Sequence, residues 1–463
     1  MEQLCFEKQL KQSGFRKQKG ETLPQVMFAT LIWPLLDVRS ISNFCGRLLS
    51  VFIKGGKNVL YDFLKRDNLP WQTLRIRMAK QAYRKNGLDG SITKAFVFDD
   101  TLKHRRGKKV EGSSIHFDHT VNRHVQAHQV LEMGLVSSKG YLPLDSQIVV
   151  GKKKAVFRKK PFQYPESGLQ DDYERAVNDS KNKMLREMLE RVLKFGFKAA
   201  YVIGDAWFGN KGNVKAVLKA NMTAIFRMRD SNLKFRLSER RLTVNALYHL
   251  AKFYRRPDKH SEKLPWKTWT LSVELNLAEN ADRKDDCRRV NLVFSVPKHR
   301  TKDEFAVFLC TDTMLSAEEI LEVYALRWGI ELYFKEVKQY MGFMKEQTGN
   351  YSCHYASVHL SALRYILFSH IFMQEGTFYI GKHRKNISDA LELMSFASLL
   401  WTLFKAIVNG ALDDLKSLIG CELLQTVKDH IDCTVTEFLN QALQLDPKSL
   451  LEESRAEKAG AIF

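Results

Sequence analysis

The stretch ITKAFVFDD, residues 92–100, decides how this chain is read. Its apolar run reads as a buried strand, and it ends in two aspartates, Asp99 and Asp100. Working outward, VLEMGLVS (130–137) and DSQIVVG (145–151) are further strand candidates, with a turn around Ser138–Gly140. An amphipathic helix follows around Glu174–Lys194, and then KAAYVIGD (198–205), a second apolar strand that ends in an acid, Asp205. After Gly212 a short helix, VKAVLKAN, leads into the strand TAIFRMR (223–229). Three strands and a helix, then strand, helix and strand, make an α/β pattern with a mixed sheet.

The flanks differ in texture. Residues 1–92 read as helices punctuated by Pro24, Pro34, Pro70 and Gly55-Gly56. Within them DVRSISNFCGRLLSVF (37–52) has helical spacing and caps at Ser40 or Ser42, so this is the expected DNA-binding region. From 231 to 306 the segments TVNALYHL, WKTWTLSVELNL and RRVNLVFSV suggest a mostly β insertion into a core of residues 93–230 and 307–378. FAVFLCTD closes it. Residues 379–463 read as a helical C-terminal region with a possible role in dimerisation.

A second stretch, LEVYALRWGIELYFKEVKQYMGF (321–343), carries chemistry. Ser316 and Glu319 before it have capping-box spacing. On one continuous helix, Tyr324, Arg327, Glu331 and Lys338 fall within an arc of about 60°. A carboxylate then shares a face with a phenol, a guanidinium and an ammonium, where an ordinary amphipathic helix would show only Glu–Arg pairing.

Asp99, Asp205 and Glu331 therefore stand out. Acids at the carboxyl ends of neighbouring strands project into the crevice where α/β sheets bind ligands. Two of them with a helical glutamate make an oxygen-rich site suited to Mg²⁺, with Mn²⁺ substituting. Two such ions can activate a water or a 3′-hydroxyl and stabilise the leaving oxygen of an in-line displacement. The commoner use of a lone strand-end aspartate is a turn or a cap.

FDDT (98–101), GDAWF (204–208) and Tyr324-x2-Arg327-x3-Glu331-x6-Lys338 together resemble bacterial insertion-sequence transposases with a DDE active site, in the subgroup with the Tyr-Arg-Glu-Lys signature. The resemblance covers roughly residues 95–345. It implies a ribonuclease-H-like α/β catalytic core carrying an insertion, with Asp99, Asp205 and Glu331 as catalytic metal ligands. Asp100 is the rival for the first position. Tyr324, Arg327 and Lys338 would bind phosphates of the transposon end, and the protein would act as a homodimer in a synaptic complex on double-stranded DNA. Some relatives pass through a DNA hairpin with a base stacked on an insertion-domain tryptophan, and Trp266 and Trp269 lie in that region.

The composition agrees with a polyanionic partner. The 463 residues carry 73 Lys and Arg against 52 Asp and Glu, a net charge of +21, and phosphate neutralisation releases counterions. Two basic runs, KHRRGKK (103–109) and KKKAVFRKK (152–160), nominate Lys103, Arg105, Arg106, Lys152, Lys153 and Lys154 as DNA contacts. His116, His119, His124 and His128 match no standard zinc spacing and are expected at the surface or facing phosphate. The seven cysteines are scattered singly, as suits reduced thiols. No Gly-rich phosphate loop implies ATP, and no signal peptide or membrane span appears. The expectation is a cytoplasmic, prokaryotic, nucleoid-associated protein. Three functions compete: a transposase that cuts and joins DNA, a catalytically silent DNA-binding protein of the same fold, and a nuclease that cuts without joining.

Overall fold

A computed structural model describes residues 2–375, apart from 18, 37–39, 91, 165–167, 230–232, 259–264, 279–285 and 299–304, together with 389, 407–408, 410, 412 and 423–431. The expected helical C-terminal region lies almost wholly outside the described residues.

Among the described residues eleven strands form one mixed sheet. β1 (Lys94–His104) pairs antiparallel with β3 (Arg123–Ser137), which pairs with β2 (Ser114–Asp118) along its first part and with β4 (Gly140–Val149) along the rest. β5 (Tyr201–Gly204) lies parallel to β1, and β6 (Thr223–Met228) parallel to β5. Reading β1, β3, β4, β5 and β6 as strands one to five gives the spatial order 3-2-1-4-5, with the first three antiparallel. That is the ribonuclease-H-like mixed core expected from the sequence.

The sheet then continues. β11 (Ala306–Cys310) pairs antiparallel with β6, β10 (Cys287–Pro297) with β11, and β9 (Trp266–Asn276) with β10. The hairpin of β7 (Lys234–Leu237) and β8 (Arg240–Thr243) closes the row. The strand-rich stretch is thus continuous with the core through β11, which covers the edge that β6 would otherwise expose.

Helices cover both faces. α1 (Phe6–Gln12), α2 (Leu23–Ile32), α3 (Ile41–Arg47), α4 (Leu49–Phe52), α5 (Lys57–Lys65) and α6 (Trp71–Lys85) precede the sheet. Ser40 does cap α3, accepting from the Asn43 N–H at 3.1 Å. α6 packs on β4 beside α13 (Tyr351–Glu375) and α12 (Trp328–Gln339). α7 (Leu169–Asn178), α8 (Lys181–Lys194) and α9 (Lys211–Lys219) pack on the same sheet, α8 against β3, β4 and α9. The opposed environments of Asp99 and Asp100, described below, put α8 and α12 on opposite faces. α13 is buried on nearly every side from Tyr351 to His370, its polar side chains such as His354, Ser357 and Arg364 included. Its Arg364 donates to the carbonyls of Thr30, Leu31 and Met341 at 2.6, 2.8 and 2.7 Å, tying the helix to α2.

Three expectations need correction. TVNALYHL is not strand: α10 (Val244–Tyr254) occupies it, capped by the Thr243 hydroxyl. Val244, Leu247, Tyr248 and Ala251 are its buried side, a helical spacing. The single helix over Glu174–Lys194 is two, because Asp179 is extended and Ser180 caps α8. The helix through Tyr324 and Lys338 is also broken. α11 (Ala317–Ala325) ends in a tight turn in which Leu326, Arg327, Gly329 and Ile330 each donate to the carbonyl three residues earlier. α12 then begins at Trp328.

Candidate active site

The parallel register sets up the site. Ala95–Phe98 pairs with Tyr201–Gly204, so Asp99 and Asp205 are the next residues on adjacent strands, about 4.8 Å apart in the pairing direction. Successive strand residues face opposite ways, so Asp99 and Asp100 diverge. Asp100 turns to α8, where it takes hydrogen bonds from Lys181 Nζ at 2.6 Å and Gln129 Nε2 at 2.9 Å. Asp99 turns to the α12 side, where Arg327 donates to its Oδ2 at 2.8 Å. The two aspartates are not interchangeable, and Asp99 is the one beside the other site residues.

The turn between α11 and α12 places the rest. Arg327 sits in it with one Nη on Asp99 and the other on Glu331 Oε1, and its guanidinium lies 5.9 Å from the Tyr324 ring. Glu331 occupies the first turn of α12, where the helix dipole favours negative charge. Tyr324 packs edge-on against Phe308 at 4.7 Å.

The electrostatics follow from crowding. Burial pushes the Asp99 carboxyl up to about 7, opposed by Arg327 and a backbone hydrogen bond and reinforced by Asp205 and Asp100. Burial works against the Arg327 charge, but Tyr324, Asp99 and Glu331 outweigh it and hold the guanidinium above its ordinary value. The Tyr324 phenol is raised by burial, against the pull of Arg327 and Arg227.

Among the described residues no three carboxylates, imidazoles or thiols are already gathered as a ligand set. Arg327 instead holds the cationic position between Asp99 and Glu331. The donor chemistry, carboxylate oxygens crowded enough to need a positive partner, fits a hard divalent ion.

The remaining nominated cations divide. Burial lowers the pKa of Lys103, and the charges of Arg105, Lys345 and Lys338 add to it, so these basic groups share a region. Lys338 is likewise lowered by burial, against Asp118. Arg106 and Lys152–Lys154 are exposed. The second basic run pairs with residues just beyond the first, since the Ile115 N–H donates to the Lys153 carbonyl at 2.9 Å and Val156 N–H to that of Ser113 at 2.8 Å.

Arg105 turns inward instead. It donates to His128 Nδ1 at 2.9 Å and to the Met344 carbonyl at 3.1 Å, and lies 3.3 Å from His354 Nδ1. His128 corrects the surface expectation for the histidines. It is fully buried with its ring 4.6 Å from that of His354, and burial pushes its pKa down to about 3. Trp269 is buried against Tyr248, whereas Trp266 is exposed.

Sequence reasoning passed over two exposed indoles at this end of the sheet. Trp207 follows Asp205 by two residues, and Trp328, 68 % exposed, opens α12. An aromatic side chain within three residues of a candidate acid was the available signal.

Residues 32–288, more than half of the chain, match the sequence profile described as DDE superfamily endonuclease. The chain belongs to that family. The match contains Asp99 and Asp205 but stops before Tyr324, Arg327, Glu331 and Lys338, so it identifies the superfamily and no subgroup within it. No curated protein matches the chain. Among solved structures, the chain is similar to that titled a cryo-EM structure of piggyBac transposase synaptic complex with hairpin DNA. Identity is 12 %, with 87 % of this chain and 79 % of that one covered and a TM-score of 0.43. A Drosophila P element transposase strand transfer complex aligns at 12 % identity over 53 % of this chain and 52 % of that one, with a TM-score of 0.15. Likeness this distant fixes no function. No helix among the described residues is long and apolar enough to cross a membrane.

Proposed function

We propose that the protein is a DDE transposase that cuts DNA at the ends of a mobile element and joins the freed 3′-hydroxyls to target DNA, of the insertion-sequence subgroup with the Tyr-Arg-Glu-Lys signature. The observation that carries this reading is the convergence of Asp99, midway along β1, with Asp205, just past the carboxyl end of β5, and with Arg327 and Glu331, in a chain of the DDE endonuclease family.

Asp99, Asp205 and Glu331 would hold Mg²⁺, or Mn²⁺ in its place. When bound, the ions lower the pKa of a water and stabilise charge on the displaced oxygen. In the first step a water oxygen bonds to phosphorus as the bond to the 3′-oxygen breaks, leaving a 3′-hydroxyl and a 5′-phosphate. In the second, that 3′-oxygen bonds to a target phosphorus as the bond to the target's own 3′-oxygen breaks, and the proton that the attacking hydroxyl gives up is matched by one taken up by the displaced target 3′-oxygen. Arg327, released by carboxylates that turn to a cation, is in place to take a phosphate oxygen, and a guanidinium does so bidentately. Tyr324 supplies a phenol donor beside it. Lys338, Lys103, Arg106 and Lys152–Lys154 would neutralise DNA phosphates farther along. A homodimer bridging two ends, working in the cytoplasm on nucleoid DNA, completes the proposal.

The test is cleavage and strand transfer by the purified protein on labelled element ends with supercoiled target, in Mg²⁺, Mn²⁺ or EDTA. Metal-dependent nicking with joined products is expected, and Asp99→Ala, Asp205→Ala and Glu331→Gln each remove it while leaving the thermal melt cooperative. Binding without cleavage would replace the reading with a silent DNA-binding protein, and cleavage without joining with a nuclease. Cleavage retained in one variant removes that residue from the triad.

A further inference from the structure

The ladder between β1 and β5 stops one rung short of the two candidate ligands. Its last pair is Phe98 with Gly204, and Asp99 and Asp205 stand just beyond it. Asp205 already lies in the turn after β5, so strand pairing does not set its distance from Asp99. The far end of that turn is anchored in the core. Phe208 is buried 6.5 Å from Phe98 between ring centroids, and Asn213 Nδ2 donates to the Phe208 carbonyl at 2.9 Å. At the near end the Trp207 N–H donates to Asp205 Oδ1 at 2.8 Å. The backbone of Trp207 thus orients the carboxylate.

Charge holds the Trp207 indole in turn. Lys181 Nζ lies 4.3 Å from the ring centroid and the Arg229 guanidinium 4.9 Å. The same Lys181 Nζ donates to Asp100 Oδ2 at 2.6 Å, and Gln129 Nε2 fixes the other Asp100 oxygen at 2.9 Å. One ammonium therefore links the chain neighbour of Asp99 to the ring two residues after Asp205. Its place adds nothing to α8 itself, because Lys181 is the first residue of that helix, where a cation opposes the dipole. The Lys181 side chain is only 16 % exposed, so a carboxylate and an aromatic face stand in for much of its water.

We propose that Lys181 and the Trp207 ring form a positioning brace, anchored through Asp100 on the face of the sheet opposite Arg327, that sets the spacing of the Asp99 and Asp205 carboxylates for a divalent cation. The inference rests on the reading of Asp99 and Asp205 as metal ligands. It adds two residues that act through those carboxylates and touch neither metal nor DNA.

The test is Mn²⁺ binding to the whole protein without DNA, read from the electron paramagnetic resonance of free Mn²⁺, so it needs no turnover. Lys181→Met removes a positive charge near the site. Electrostatics alone would then tighten Mn²⁺ binding, whereas loss of the brace weakens it. Weakening of roughly tenfold is expected, the scale for a partner that orients a ligand. Trp207→Leu changes no charge and should weaken binding by a similar factor. The double variant should bind no more weakly than either single one, because both changes remove one linkage. Lys181→Arg should keep most of the affinity. The ring is 46 % exposed, so the melt of Trp207→Leu should stay close to wild type. If Lys181→Met fails to fold, Trp207→Leu and Lys181→Arg decide. Tighter or unchanged binding in either single variant, or losses that add in the double one, would overturn the brace and leave Asp99 and Asp205 as ligands. Asp99→Ala separates the two readings: binding that survives it undiminished, or a wild type that binds no Mn²⁺, would overturn the triad and the brace with it.

Discussion

The Asp99 carboxyl is buried beside a second acid, and it pays for that position in its proton affinity. Its pKa of about 7 in the folded chain stands above the ordinary 3.8. A group raised on folding stabilises the fold below its unfolded pKa, and that contribution is lost as pH rises through the folded value. In EDTA, stability linked to Asp99 should therefore fall between about pH 4 and pH 7 and stay low above it. Asp99→Asn removes the titration while keeping an oxygen for Arg327. The variant should melt with wild type near pH 4 and a few degrees above it near pH 8, read by circular dichroism. A variant that melts lower at both pH values would mean that Asp99 is not strained by its burial. At this scale the sequence shows residue types and spacing but not depth. Period two in a strand says that Asp99 and Asp100 face apart, while only the packed sheet tells which one meets Arg327. Arg105 and His128 look as solvated as their neighbours in the chain, and they differ only because the start of α13 covers them.

The elements of the core were legible because each announces itself locally. β1, β3, β4, β5 and β6 are apolar runs of strand length, and α8 and α9 carry capping residues, Ser180 and Asn210. The misread elements had competing signals. Apolar and β-branched content in TVNALYHL suggested strand, yet the buried side repeats at helical spacing. Ser180 inside a helical pattern marked a new start. No proline announces the break at Leu326–Arg327, and Gly329 lies just beyond it; its bonds simply tighten to the third residue back. Least legible was the buried pair behind the site. Arg75 of α6 donates to Glu132 and Ser146 across the sheet–helix interface, with both charges out of solvent. Glu132 is the register partner of Asp99. Burial works against the Arg75 charge, and Glu132, Tyr333, Asp145 and Tyr141 together outweigh it. Breaking such a pair strands a buried charge, so Arg75→Met should cost about 3–5 kcal/mol. The double variant Arg75→Met, Glu132→Leu should recover much of that loss, because no unpaired charge remains. Urea unfolding of wild type, single and double variants checks it, and a double variant no better than the single one would show that packing, not charge, sets the cost.

Across the whole molecule the sequence spoke through its charge. An excess of 21 positive charges favours a polyanionic partner, and part of it is exposed on one segment after β4. The run 152–160 is tied by main-chain hydrogen bonds to residues 112–115, at the end of the β1–β2 connection and the start of β2. The exposed Lys152, Lys153 and Lys154 form a basic surface on that segment, and sequence order alone does not show that it folds back beside β2. If that surface tracks a DNA backbone, its contacts must appear in the salt dependence of binding. Each neutralised phosphate contributes roughly 0.9 to the slope of log affinity against log salt. Lys152, Lys153 and Lys154 can be replaced together without touching the core. Lys152→Gln and Lys153→Gln suffice at the first two positions, with Lys154→Asn at the third, because Lys154 holds φ 45° and asparagine tolerates that region. Titration of the triple variant and wild type on one duplex across a salt series should show a slope shallower by about 2–3, with affinities converging at high salt. A parallel line, displaced but unchanged in slope, would mean that the lysines act on the fold and do not touch phosphate. Coincident lines would move the DNA path off this loop and onto the side carrying Lys103 and Lys338.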